Sequence, residues 1–488
     1  MKTEDIRHLR KPGRITSHCC IFAAACIVFL YVSFHDYAHF LYEQLLIVPC
    51  LLFLGFRLEN RDEGRHIQLP MLSVAMVLWC IILQVKRDAE STQIDNINLF
   101  LTTYLFALPL ASLLQDGNEK KALKQFACAY LAASGILAVS CLLLILGWIP
   151  DFLSEQIYWD GARLHTFWHP NIAACFFMIG IAFCTAFFSQ VKSRWVKLGL
   201  CVLAILILVA MALTNCRTAI LLTGGYLGAT VFFAAIKHGK KWFLPGVLAA
   251  VLVVAGLYVY ANQLYQANND ALIKKYTQQY SEYIASENAE GKASAADKKI
   301  SANQEETLPI KVNSKTGKVS LRTDNPQGSL KRDLGTLNSR TRIWKSALSA
   351  IRETPDILLW GMFDPGWYVS FYTSSPILHL HNSWMQCLVA LGFVGFMIAA
   401  LLTLQAAWNC LVILWQHHDD VWKRTVALLA LCLMAAAFLE PYLFYTDTFY
   451  QPVNFLFFLC AGYLAHWQAV YNRGILTVIR SRIPFLKK

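Results

Sequence analysis

The chain has 488 residues, of which 56% are hydrophobic and only 15% charged, and it carries a formal net charge of +12. Soluble domains carry about 25% charged residues, so this composition excludes an ordinary globular protein. The basic excess is spread between long apolar runs rather than gathered in one patch, which argues for a topology signal and against a nucleic-acid partner.

The N-terminal stretch MKTEDIRHLRKPGR is basic, lacks a small-residue cleavage site and is expected to remain as a cytoplasmic tail. Twelve candidate spans follow, at roughly 18–35, 38–56, 69–85, 97–115, 126–148, 171–190, 197–214, 218–236, 242–261, 381–414, 425–446 and 452–471. Of the 43 Lys and Arg residues, 24 lie in the two tails and in alternate connections. The short connections of opposite parity hold only Lys86, Arg87, Arg163 and Arg217. Positive charge marks the cytoplasmic side, so both termini are expected there, with the sparse connections and the long insert outside. The lipid bilayer is the first partner implied.

Three regions result: 1–261 with spans 1–9, an outer loop at 262–380, and 381–488 with spans 10–12 and a cytoplasmic tail. Within the loop, Leu264, Leu272, Tyr276, Tyr280 and Tyr283 share one face of a helix over 262–287. Residues 288–333 are rich in Ala, Ser, Lys, Asn and Gly, and are expected to be mobile or weakly ordered. NSRTRIWKSALSAIRETP then resumes helical periodicity, with Asn338 or Ser339 as a cap and Pro355 as a stop. The fifteen cysteines fall almost entirely in apolar segments and show no zinc-binding spacing. They read as small buried hydrophobes, and neither a disulfide framework nor a metal site is expected.

The middles of the spans carry almost no ionisable groups, where a coupled transporter would be expected to place them. Polar residues collect instead at the outer ends. GARLHTFWHPNIAA offers Arg163, His165, His169 and Asn171, or alternatively an aromatic interface anchor with a proline at a helix start. TNCRTAI places Arg217 at a tight turn, where a headgroup anchor is the competing reading. On the 338–353 helix, Arg340 shares the apolar face with Trp344, Ala347 and Ile351, while Arg342 falls off it and can simply be solvated. HLHNSW opens the tenth span. At 100° per residue His381 lies three turns above Gly392, with Gly395 nearby, so a close helix contact is expected beneath the histidine. HHDD at 417–420 falls on the cytoplasmic side and reads as a solvated loop.

Several arginines and one base at an outer membrane face suit a polyprenyl-pyrophosphate sugar donor. The arginines would hold the pyrophosphate and stabilise its departing charge, and His381 could accept a hydroxyl proton. No paired-carboxylate or DxD-like motif appears, so a metal-independent transfer without cofactors is favoured.

These residues resemble the O-antigen ligase and polymerase superfamily of bacterial membrane glycosyltransferases. His381-Asn382, then Gly392 and Gly395, fit the ligase pattern H-[NSQ]-x9-G-x2-[GTV]. SRTRIW resembles the family's Arg four residues before Trp, which selects Arg340. NCRTAIL resembles its Ser-Arg-small turn with Cys216 in place of serine, and ARLHTFWHPNIAA its segment ending in Pro-Asn. The chain departs from the pattern at Phe363, where a second glycine often stands, and at Ala390, where many relatives carry an acid.

The resemblance implies an all-α polytopic membrane protein, GT-C-like, with about 12 transmembrane helices and a large periplasmic loop between helices 9 and 10. It would lie in the bacterial inner membrane with its site facing the periplasm. It implies transfer of a glycan from undecaprenyl pyrophosphate to a hydroxyl of lipid A-core. A polymerase extending a lipid-linked repeat and a protein O-oligosaccharyltransferase are the alternatives, with a lipid-linked sugar transporter less favoured. His381 would be the general base. Arg163, Arg217, Arg340 and Arg342 would hold the pyrophosphate, and Asn171, Asn382, Gly392 and Gly395 would support them.

Overall fold

The structure, a computed structural model, describes residues 12–34, 71–86, 119–150, 153–154, 156–160, 162–289, 310–312, 319–321, 338–362, 369, 380–444 and 451–471. Its helices are α1 (Pro12–Ser33), α2 (Met71–Lys86), α3 (Glu119–Leu146), α4 (Pro170–Gln190), α5 (Arg194–Leu213), α6 (Arg217–Ile236) and α7 (Phe243–Ala289). They continue with α8 (Asn338–Glu353), α9 (Asp356–Trp360), α10 (Ser383–His417), α11 (Val421–Ala436) and α12 (Gln451–Tyr471). Ten of the twelve expected spans coincide wholly or in part with these helices. Those at 38–56 and 97–115 lie outside the described residues. Among the described residues six helical stretches are long and apolar enough to cross a bilayer: 123–146, 170–190, 194–213, 217–236, 243–279 and 383–417.

Apart from the amphipathic α8 and the extension of α7, the long helices are apolar on nearly all sides, as a bilayer solvent allows, and they differ in how much protein surrounds them. α4 is the hub, with Phe176, Phe177, Phe183 and most of its length buried against α3, α5, α6 and α11. Ser134 on α3 donates to Phe176 O of α4 at 2.7 Å, a side-chain bond that ties two helices where water is absent. α7 lies at the periphery, leaving Leu244, Leu248, Val251 and Leu252 exposed, as expected of a lipid-facing surface. Asp420, from the HHDD stretch, accepts from the Trp422 and Lys423 amides and so caps α11.

Four features differ from the sequence reading. First, the ninth span and the 262–287 helix form one continuous helix, α7. Its extension packs Tyr265, Leu272 and Tyr276 against Trp159 and Ala162 of a short antiparallel hairpin, β1 (Trp159–Asp160) and β2 (Arg163–Leu164). Leu264 joins the main core, and the side chains of Tyr280 and Tyr283 lie outside the described residues. Second, the 288–333 stretch begins with the last two residues of α7 and includes a strand pair, β3 (Ile310–Val312) with β4 (Val319–Leu321), joined antiparallel; the rest of it lies outside the described residues.

Third, the eleventh expected span at 425–446 stops being helical at Ala436, and 437–444 continue as turns and irregular chain. Fourth, the straight helical line from His381 to Gly392 does not exist. His381 precedes the helix with φ 50°, and Gly392 breaks α10 with φ 68°. The apolar periodicity of this stretch hides the break, because the groups that satisfy it come from elsewhere in the chain. The N–H of Met362 bonds to Val389 O, and Trp79 Nε1 of α2 donates to Leu391 O at 2.8 Å. Gly361, also at φ 68°, enters the break face to face with Gly392. A Cβ on Gly361 would lie 2.3 Å from Ala390 O, and one on Gly392 2.3 Å from Leu359 O. Only two glycines allow this clasp, both for their positive φ and for the approach of bare backbone.

Candidate functional site

The ends of the chain segments expected to face outward meet at one end of the bundle. Three helix N-termini gather there, those of α4, α6 and α10, together with the β1–β2 hairpin, α8 and the chain following α11. Backbone N–H groups at helix N-termini favour negative charge. Two of these termini are capped by side chains. Asn382 accepts from the Trp384 and Met385 amides at 2.9 Å, and His169 Nδ1 accepts from the Asn171 amide at 3.3 Å. Cys216 precedes α6 and supplies no side-chain cap. Burial, then Glu440, pushes the Cys216 thiol up to about 11, so it stays protonated.

At the centre is Glu440, whose side chain is only 2% exposed. Arg340 Nη2 donates to its Oε1 at 2.6 Å and Asn171 Nδ2 donates to the same oxygen at 3.0 Å. His381 Nδ1 lies 3.5 Å from the other oxygen, Oε2. Asn171 in turn accepts from Arg163 Nη2 at 2.9 Å, and Arg163 Nε donates to Thr214 O at 3.1 Å, just before the Arg217 turn. Tyr265 of α7 interacts with both Arg163 and Arg217 and with the Asn215 side chain, which brings Arg217 to the same cluster. Arg163, Arg340 and His381, distant in sequence, are thus linked through one carboxyl group.

The chain around Glu440 is fixed in turn. Ser383 Oγ donates to Glu440 O at 2.8 Å and accepts from the Leu443 amide at 3.0 Å. Asn382 Nδ2 donates to Phe438 O, and Tyr442 Oη donates to Asn171 O at 2.7 Å. The first turn of α10 and the segment after α11 therefore hold each other in place around the carboxyl.

Of the residues expected from sequence, Arg163, Asn171, Arg217, Arg340, His381 and Asn382 come together here. Arg342 is exposed on the far side of α8 and does not join them. Gly392 and Gly395 lie below, at the clasp, where a Cβ on Gly395 would meet Trp79 Nε1 at 3.0 Å. Glu440, Ser383 and Tyr442 were not anticipated. A signal for Glu440 existed: it is a lone acid within an apolar run, followed by Pro441, and such acids are costly unless they serve a purpose.

The two further histidines border the cluster. His165 is held down to about 4, by burial first, with Arg163 adding to the effect and Asp160 opposing it. His169 is lowered likewise to about 4 by burial, then by Arg163, His165 and His381, while Glu440 opposes. Both are neutral at physiological pH, so the arginines carry the site's positive charge. Among the described residues no group of three His, Cys, Asp or Glu side chains is arranged to hold a metal ion.

No curated protein matches the chain. Residues 202–400 match the family model described as O-antigen ligase. The matched region carries Arg217, Arg340, His381, Asn382, Gly392 and Gly395, while Arg163, Asn171 and Glu440 lie outside it and reach the same site through the fold. With its apolar bilayer-length helices the chain is a multi-pass membrane protein, and the match over residues 202–400 supports the O-antigen ligase superfamily, whose members are membrane glycosyltransferase-like enzymes.

Proposed function

We propose that the protein is a ligase-type glycosyltransferase of the bacterial inner membrane that moves a glycan from undecaprenyl pyrophosphate to a hydroxyl of lipid A-core at the periplasmic face. The observation that carries the reading is the junction of Arg340, Asn171 and His381 on Glu440. Arg163, Arg217 and Arg340 outnumber the one buried carboxyl of Glu440 in the cluster, which leaves positive charge for a pyrophosphate. Charge that grows on the departing diphosphate meets fixed donors, the form of electrostatic catalysis that needs no reorganisation at the moment of reaction. Glu440 faces Nδ1 of His381, so Nε2 is the nitrogen left to take the acceptor hydroxyl's proton. As that oxygen attacks the anomeric carbon, the bond to pyrophosphate breaks and its electrons leave with the phosphate. The arginines supply the charge stabilisation, and the transfer needs no metal ion. Twelve spans, cytoplasmic termini and the 262–380 loop in the periplasm complete the proposed topology.

The test is the lipopolysaccharide of a deletion strain complemented with variants. His381→Ala and Arg340→Ala should each leave lipid A-core without attached glycan while the protein remains in the membrane. Smooth lipopolysaccharide from both variants would overturn the assignment. Single repeats on lipid A-core in the deletion strain would instead identify a polymerase, the second activity that this superfamily suggests.

A further inference from the structure

The backbone of Leu380, which precedes His381, is gripped from both sides. Leu380 is fully buried in a small cluster with Ala347, Ile357, Val369 and Val389, separate from the main core. Its N–H donates to Gln386 Oε1 at 3.0 Å, and its carbonyl accepts from Trp344 Nε1 at 2.9 Å. Gln386 is itself buried, and its backbone N–H donates to the carbonyl of Asn382, the cap of α10. Trp344 lies one turn beyond Arg340 on α8. His381 itself adopts φ 50°, a conformation that an ordinary side chain keeps only when its neighbours impose it.

We propose that Trp344 and Gln386 are positioning residues that set the direction of the His381 imidazole by holding the backbone N–H and carbonyl of Leu380 between them. Trp344 also couples the two halves of the site, because the helix that presents Arg340 to Glu440 grips the chain that presents His381 to it. Neither residue reaches the reacting atoms. Their effect is on where the base points, so it falls on turnover rather than on donor binding. The inference rests on the transferase reading above.

The experiment uses the purified full chain in lipid nanodiscs. The donor is undecaprenyl-pyrophosphate-linked oligosaccharide and the acceptor is rough lipopolysaccharide, both prepared from a deletion strain. Rates are normalised to folded protein by size exclusion. Trp344→Phe keeps an aromatic ring but loses the donor, and Gln386→Leu loses the acceptor. Each should lower kcat about ten- to hundredfold, the scale of a small misplacement of a catalytic group, with donor KM changed less than about twofold. Gln386→Glu keeps an acceptor oxygen on the same carbon stem and should recover most of kcat. The double variant should be little worse than the less active single one, since both act on the backbone of one residue, Leu380.

An active wild type with unchanged kcat in both variants overturns the proposal, as does a rise in KM alone or a multiplicative loss in the double variant. Wild-type protein that transfers no glycan, with His381→Ala indistinguishable from it, overturns instead the function on which the proposal rests.

Discussion

Glu440 joins the candidate site at the scale of single residues, since it compensates Arg340, anchors Asn171 and faces His381 with one side chain. Removing one partner of a buried ion pair strands the other, at a cost of about 3–5 kcal/mol. Arg340→Ala is therefore expected to lower the melting temperature in detergent as well as abolish transfer, whereas Arg342→Ala, on the exposed side of α8, should change neither. Glu440→Gln keeps an acceptor for Arg340 but loses the charge facing His381. By analogy with carboxylates that orient a histidine base, it should cost about 10²- to 10⁴-fold in turnover, measured as glycan transferred per folded enzyme. Near-wild-type turnover would remove Glu440 from the mechanism. The flanking histidines add a pH dependence. His165 and His169 resist a proton that the unfolded chain accepts below about pH 6.5. Their contribution is complete above that pH and is lost as pH falls toward 4. Melting temperature should decline across this window, and His165→Gln should flatten the decline; an unaltered slope would count against it.

The break in α10 sets the site at the scale of elements. The nine residues before Gly392 carry the histidine entry and are gripped at both ends: by the chain after α11 at the top and by Gly361, Met362 and Trp79 at the bottom. Trp79 also stacks on Trp360, with ring centroids 6.0 Å apart, so α2, α9 and α10 close on the same point. A methyl on either glycine meets a backbone carbonyl that cannot move aside, and an L residue at φ 68° is strained as well. Gly361→Ala and Gly392→Ala should each abolish transfer and reduce thermal stability. Gly199→Ala, where an added Cβ meets nothing within 4 Å on α5, should be neutral. Full activity in the Gly392→Ala protein would show that the clasp does not matter to the site.

For the whole molecule, the question is which side of the membrane the cluster faces. In a cysteine-free background, Arg342→Cys on α8 should react with an impermeant maleimide added outside spheroplasts. His238→Cys, exposed at the opposite end beyond α6, should react only after permeabilisation. The reverse pattern would invert the proposed topology. The apolar helices, the alternation of basic connections and most of the polar residues that meet at one end of the bundle are legible in the sequence alone. These are local properties: bilayer length, charge parity and helix periodicity are written in consecutive residues. The sequence also placed Arg340 on the inward face of its helix, because 100° steps hold within a single unbroken helix. That His381 sits outside the helix, that α10 breaks at Gly392 and that Glu440 stands at the centre emerge from the folded chain. Each of these rests on partners far away in the chain, such as Trp79 for Leu391, Leu359 for Gly392 and Arg340 for Glu440. A broken helix and a buried acid are stable only once those partners satisfy them, so a local pattern can mark Glu440 as a costly acid but cannot announce the break or the partners.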